Sequence, residues 1–131
     1  MKCLLFGVIS ALIILEVLGA DLYTDRYDNI NIEEILANRR LLIPYLKCIL
    51  GQGRCTPEGK ELRVHIKDAM QNSCNKCTDK QKKGARQVVK YIRTNEADYW
   101  EDLKKKYDPD STYQEIYEKF LAQISTSFSL N

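Results

Sequence analysis

Four cysteines, Cys48, Cys55, Cys74 and Cys77, crowd one part of the chain in the spacing C-x6-C-x18-C-x2-C, and no other feature constrains the fold as much. A fifth, Cys3, sits in a segment with the layout of a secretory signal: Met1-Lys2, an apolar run from Cys3 to Leu15, and the small pair Gly19-Ala20. The run is about 13 residues, short of the roughly 20 that a spanning helix needs, and Glu16 ends it. Residues 1–20 are therefore expected to be a signal peptide, cut after Gly19 or Ala20, and residues 21–131 a single domain. With Cys3 removed the cysteine set is even, and in an oxidising extracellular compartment that predicts two disulfides. Three pairings exist. The short separations favour Cys48 with Cys55 and Cys74 with Cys77, each closure contributing about 2 kcal/mol.

Two sharper chemistries compete for the same residues. A four-thiolate zinc site accepts one C-x2-C pair but wants a second close pair, whereas Cys48 and Cys55 are separated by six residues. A thioredoxin-like redox centre at Cys74-Asn75-Lys76-Cys77 needs a βαβ setting. The flanking segments have the wrong period for that, because apolar residues recur at helical spacing and almost never alternate.

Local signals divide the domain into about six short helices, an all-α fold. The stretch Asp21 to Asn29 reads as an extended arm laying Tyr23 and Tyr27 on the body. Asn31 and Glu34 form a capping signature for a helix over Ile32 to Ala37. The next helix, about Arg40 to Leu50, carries Leu41, Leu42, Tyr45, Leu46, Ile49 and Leu50 over about half the wheel, which places it centrally, with Gly51 as its stop. Pro44 lacks an N–H, so that helix is expected to begin near Leu42 or to kink. Thr56-Pro57 opens a third helix to about Gln71, with Leu62, Ile66, Ala69 and Met70 on one side, and the Thr78–Gln81 box opens a fourth to about Arg93. Asn95 is read as the cap of a fifth helix that puts Trp100, Leu103 and Tyr107 inward. Ser111 with Gln114 is read as the cap of a sixth, carrying Tyr113, Ile116, Tyr117, Phe120, Leu121 and Ile124, before a frayed tail from Thr126.

Charge and composition exclude several functions. Basic and acidic residues nearly balance, at a formal +2, and are interspersed, so a nucleic-acid partner is not expected. The runs Lys82-Lys83 and Lys104-Lys105-Lys106 lie beside acids and read as solvated helix faces. His65 is the one histidine and has no evident partner in the sequence. With no nucleophile motif, metal signature or phosphate-binding glycine loop present, no catalytic residue, metal or cofactor is assigned. What the chain does hold is eight tyrosines and one tryptophan, several on inward helix faces, a composition suited to an apolar cavity edged with a few hydroxyls. Aromatic stripes at helical spacing are more often plain core.

The cysteine spacing, with Tyr23-Thr24-Asp25-Arg26-Tyr27-Asp28-Asn29-Ile30-Asn31 upstream and Lys106-Tyr107-Asp108-Pro109 downstream, resembles the insect chemosensory proteins, the ejaculatory-bulb or odorant-binding A10-like family. Further stretches similar to that family are Glu34-Ile35-Leu36-Ala37-Asn38 and Pro57-Glu58-Gly59-Lys60-Glu61-Leu62. The resemblance implies six helices around an apolar channel, disulfides Cys48–Cys55 and Cys74–Cys77, and reversible binding of long-chain lipid-like compounds or semiochemicals. It puts channel positions at Tyr27, Asp28, Tyr45, Trp100 and Tyr117, to which the inward helix faces add Ile49, Ile66, Met70, Ile92 and Leu103. Pro44 and the apolar ending from Phe120 to Leu130 are less usual for the family.

The expectation is thus a secreted, monomeric, non-enzymatic carrier of small apolar ligands, without stable membrane insertion and with no receptor named by any motif. Eight buried methylenes would supply roughly 6 kcal/mol before the cost of association, which sets affinity near micromolar and selectivity broad. The competing expectation is a secreted developmental, immune or host-interaction factor that acts through its surface.

Overall fold

Side-chain caps decide where most of the helices begin. In the computed structural model, which describes residues 22–123, Asn31 accepts the Glu34 N–H and starts α1 (Ile32–Ala37). Asn38 accepts the Arg40 N–H and starts α2 (Arg39–Ile49). Thr56 caps α3 (Pro57–Gln71) with Pro57 in the first turn, and Thr78 with Gln81 forms a complete capping box on α4 (Asp79–Asn95). α5 (Ala97–Tyr107) and α6 (Gln114–Ala122) begin without a side-chain cap, and no strand occurs among the described residues. The signal segment 1–20, Ile124 and the tail Thr126–Asn131 lie outside the described residues.

Four expectations of local structure are corrected. Asn95 does not cap α5: it is the last residue of α4, and its Nδ2 donates back to the Tyr91 carbonyl. Glu96 stands at the start of α5, but its carboxylate is taken by Arg39 at 2.7 Å. Ser111 does not cap α6, because its backbone is left-handed (φ 55°). The Tyr113 N–H turns instead to Asp108 Oδ2, at 3.2 Å. Of the two alternatives at Pro44, the late start is the one that fails: α2 begins at Arg39 and runs through the proline. The missing N–H forfeits one backbone bond, and the Asn38 cap supports the turn before it. The arm is not extended throughout, since residues 26–29 form a turn.

Gly51 ends α2 as expected, in the left-handed region at φ 75°. Its N–H reaches the Cys48 carbonyl while the Gln52 N–H reaches that of Lys47, the paired bonds of a Schellman stop. The Cys48–Cys55 bridge lies beside this stop, and Cys74–Cys77 lies in the turn between α3 and α4, each with Cα atoms 5.0 Å apart. α1 packs on α2 and α4, α2 on α3, and α4 on α5. α6 closes against α3 and α4, and α5 touches α3.

Burial is greatest along α2, where Leu42, Leu46 and Ile49 are 2–4% exposed. They form one cluster with Leu36, Leu50, Ile92, Leu103 and Tyr107. Three apolar residues expected on inward faces are instead exposed: Leu41, Leu62 and Ile116. A second, smaller cluster gathers Cys74, Cys77 and Phe120, with Tyr23, Ala69, Ala85 and Leu121 against it.

Candidate functional site

Six of the ten candidate positions meet in the α2-centred cluster. Ile49, Ile92 and Leu103 are buried in it, and Ile66, Met70 and Trp100 are half-buried against it. Helix period puts the members from each helix on one face, Ile66 and Met70 one turn apart on α3 as Val88 and Ile92 are on α4, and helix packing joins the faces. The remaining four positions surround this interior at different depths.

Tyr117 is 5% exposed and meets the Trp100 ring edge-on, with centroids 6.2 Å apart, the geometry that ring quadrupoles favour. Arg93 and Lys104 lie 5.6 and 5.9 Å from the centre of the same indole, so the edge of the cluster at α5 is aromatic and cation-lined. Tyr45 is half-buried, and its hydroxyl donates to Glu58 Oε1 at 3.1 Å. Tyr27 and Asp28 belong to a separate place. Asp28 accepts from Thr78 Oγ1 at 2.8 Å and from Gln81 Nε2 at 2.9 Å, which fastens the arm to the capping box of α4. A carboxylate there also complements the positive end of the helix dipole. Tyr27 is half-buried, with the Arg26 guanidinium 5.8 Å from its ring.

The interior and its edge carry phenol hydroxyls. Burial pushes the phenols of Tyr45, Tyr107 and Tyr117 above the ordinary tyrosine value. At Tyr45 the Glu58 hydrogen bond adds to the effect, and at Tyr117 the charge of Asp108 does. All three therefore stay protonated near neutral pH. Tyr107 donates to the Ile49 carbonyl, a buried bond that joins α5 to α2. No cluster of three metal-ligating side chains occurs among the described residues.

Leu42, Leu46 and Tyr107, expected inward but not among the ten candidate positions, share this interior. Leu42 and Leu46 are more deeply buried than any of the half-buried candidates, and Tyr107 supplies the hydroxyl closest to the core. The signal was available for the leucines, since Leu42, Leu46 and Ile49 recur at four and three residues. His65 also departs from expectation. It has a partner in Glu61 Oε1 at 2.9 Å, and its ring faces Tyr23 with centroids 4.2 Å apart.

Two open grooves lie elsewhere, along the seam between α4 and α6. One, of about 340 Å³, is lined by Ser73, Lys82, Arg86, Ile116, Lys119, Phe120 and Gln123. The other, of about 250 Å³, is lined by Arg86, Val89, Lys90, Arg93, Thr94, Glu118, Leu121 and Ala122. None of the ten candidate positions lines either groove.

Comparison with known proteins places this arrangement in context. A family model described as the insect pheromone-binding family, A10/OS-D, matches residues 23–115, which takes in both disulfides and every candidate position except Tyr117. The chain is 42% identical over 117 residues to ejaculatory bulb-specific protein 3 of Drosophila melanogaster, covering 89% of this chain and 91% of that one. It is 44% identical over 102 residues to allergen Tha p 1 of Thaumetopoea pityocampa, covering 78% of this chain and 81% of that one. A chemosensory protein solved in complex with bromo-dodecanol superimposes with a TM-score of 0.69 at 50% identity, covering 74% of this chain and 97% of that one.

Proposed function

Since this chain belongs to the insect pheromone-binding family A10/OS-D, we propose that it is a secreted, monomeric carrier that reversibly takes a long-chain, lipid-like molecule into the α2-centred interior. The observation that carries this reading is the bromo-dodecanol bound to a relative sharing half its residues with this chain. The meeting of Ile49, Ile66, Met70, Ile92, Trp100 and Leu103 in one cluster supports it. In this reading residues 1–20 are a cleaved signal, residues 21–131 are the working domain, and no catalytic step takes part.

The mechanism is differential solvation. Each methylene moved from water into the interior contributes about 0.8 kcal/mol, and part of the total is spent on parting side chains that otherwise pack together and on lost ligand freedom. A polar head at the edge of the cluster meets Tyr117, which donates without charge, or Tyr45, whose oxygen accepts while its O–H is held by Glu58. The outcome is affinity near micromolar and weak discrimination between chains differing by one methylene, about 1 kcal/mol.

Displacement of an apolar naphthylamine dye by dodecanol and by fatty acids, followed together with Trp100 emission, tests the proposal. Displacement in the micromolar range with a change in Trp100 emission is expected. Met70→Trp, which fills the interior, should weaken dodecanol at least tenfold. No displacement by any alcohol or acid of the series would end the carrier reading and favour a role for the surface alone.

A further inference from the structure

The interior reading leaves the α4–α6 seam without a role, although five cations and one acid line its two grooves. Lys82, Arg86, Lys90 and Arg93 recur along α4 at intervals of four, four and three, so they form one stripe about 16 Å long. All four line the two grooves, which share Arg86, and Lys119 of α6 adds a fifth cation from the opposite wall. Among the residues lining the grooves, Glu118 is the one acid, and it is held by Arg93 at 3.0 Å. Glu115 reaches Lys119 at 3.5 Å. Lys82 and Lys90 have no acidic partner among the described residues.

Such a stripe is not a device for stability, because like charges one turn apart on a helix repel. Between the cations lie apolar side chains: Ile116 is 41% exposed, and Phe120 lies beneath the Arg86 guanidinium, 4.2 Å from its ring centre. Arg86 is aimed rather than free to swing. Its Nε donates to the Phe120 carbonyl at 2.9 Å and its Nη2 to Gln123 Oε1 at 2.7 Å, two of the five N–H groups of the guanidinium.

We infer that this seam docks the protein on an acidic lipid surface, with the α4 stripe and Lys119 against anionic headgroups and Ile116 at the apolar boundary. Three features point to a surface and not to one soluble amphiphile. The cations extend over two adjoining grooves, both grooves are open to solvent, and the seam concentrates positive charge that the chain as a whole, at +2, does not have. Charge near an acidic leaflet strengthens association about fivefold per lysine or arginine, an attraction that salt screens. The docking is peripheral, and no helix among the described residues is long and apolar enough to cross a membrane.

Co-sedimentation of the disulfide-bonded protein with vesicles tests this, using phosphatidylcholine alone and phosphatidylcholine mixed with phosphatidylserine. Binding to the mixed vesicles at least tenfold above the neutral ones, and lost at high salt, is expected. Lys82→Glu with Lys90→Glu should reduce it about 25-fold or more. Arg54→Glu with Lys60→Glu, the same change of net charge beside the Cys48–Cys55 bridge, should leave it within about twofold. Dye displacement by dodecanol should be unaltered in both variants, which separates this inference from the carrier reading. Equal binding to neutral and acidic vesicles would overturn it, as would equal losses in the two double variants. So would tight binding of a monomeric short-chain phosphatidylserine without binding to vesicles.

Discussion

The α2-centred interior and the α4–α6 seam are built from opposite materials. In the interior, aliphatic side chains from five helices are buried against one another, and the phenols among and beside them keep their protons. At the seam the space is open and its walls are cationic. The difference teaches that apolar composition and available volume are separate properties here. A guest of the interior would have to part side-chain contacts, whereas the seam meets solvent with five cations and the exposed Ile116.

Substitutions that separate packing from surface chemistry sharpen this contrast. Leu46→Ala, at a site 2% exposed, should lower unfolding free energy by about 2–5 kcal/mol. Ile116→Ala, at the seam, should stay within about 0.5 kcal/mol, and urea denaturation of both variants compares the two regions directly. Equal losses would mean that the seam is a second core. Replacing both Cys74 and Cys77 by serine should cost about 2 kcal/mol. Because those sulfurs pack with Phe120 and not with Trp100, thermal unfolding should shift while native Trp100 emission holds. Asn38→Ala removes the cap of α2 and should cost about 1 kcal/mol, read from the same denaturation curves.

The smallest effect concerns the arm. The Tyr23 hydroxyl donates to Asp68 Oδ2 at 2.5 Å, and the Tyr23 N–H donates to the Lys76 carbonyl. Burial and the Asp68 bond push the phenol up to about 12, while the bond from Tyr23 holds the Asp68 carboxyl below its usual range. The phenol's contribution is full below the unfolded value near 10 and is lost as pH rises through about 12. The carboxylate's contribution is full above about 4 and is lost as pH falls through its lowered folded value. Protection of the Tyr23 amide against exchange, taken relative to the intrinsic rate at each pH, should be highest between these limits, and Tyr23→Phe should flatten that profile.

Legibility in the sequence followed the range of the interaction. The caps at Asn31, Thr56 and Thr78 bond three residues ahead and were read correctly, as were the Gly51 stop and both disulfide pairings. Asn95 and Ser111 have the same residue types in similar patterns and failed. At Asn95 the side chain bonds backward to Tyr91, and at Ser111 the Asp108 carboxylate satisfies the Tyr113 amide from five residues away. Five of the six interior positions come from helical period, which reports which face is apolar, and Trp100 comes from the family resemblance as well. Period says nothing of partners in other helices, so the Tyr45–Glu58 bond and the clamp of Asp28 on Thr78 and Gln81 were not readable.

Both sulfur bridges close short stretches of chain, seven and three residues apart in sequence. They stiffen corners and strap no two distant helices together. No sulfur bridge therefore sets the distance between α1, α2, α5 and α6, and swelling of the interior around a guest would stretch neither disulfide. The protein is cross-linked in the manner of a folding rule with riveted joints: robust at each joint, and adjustable in the width between its arms.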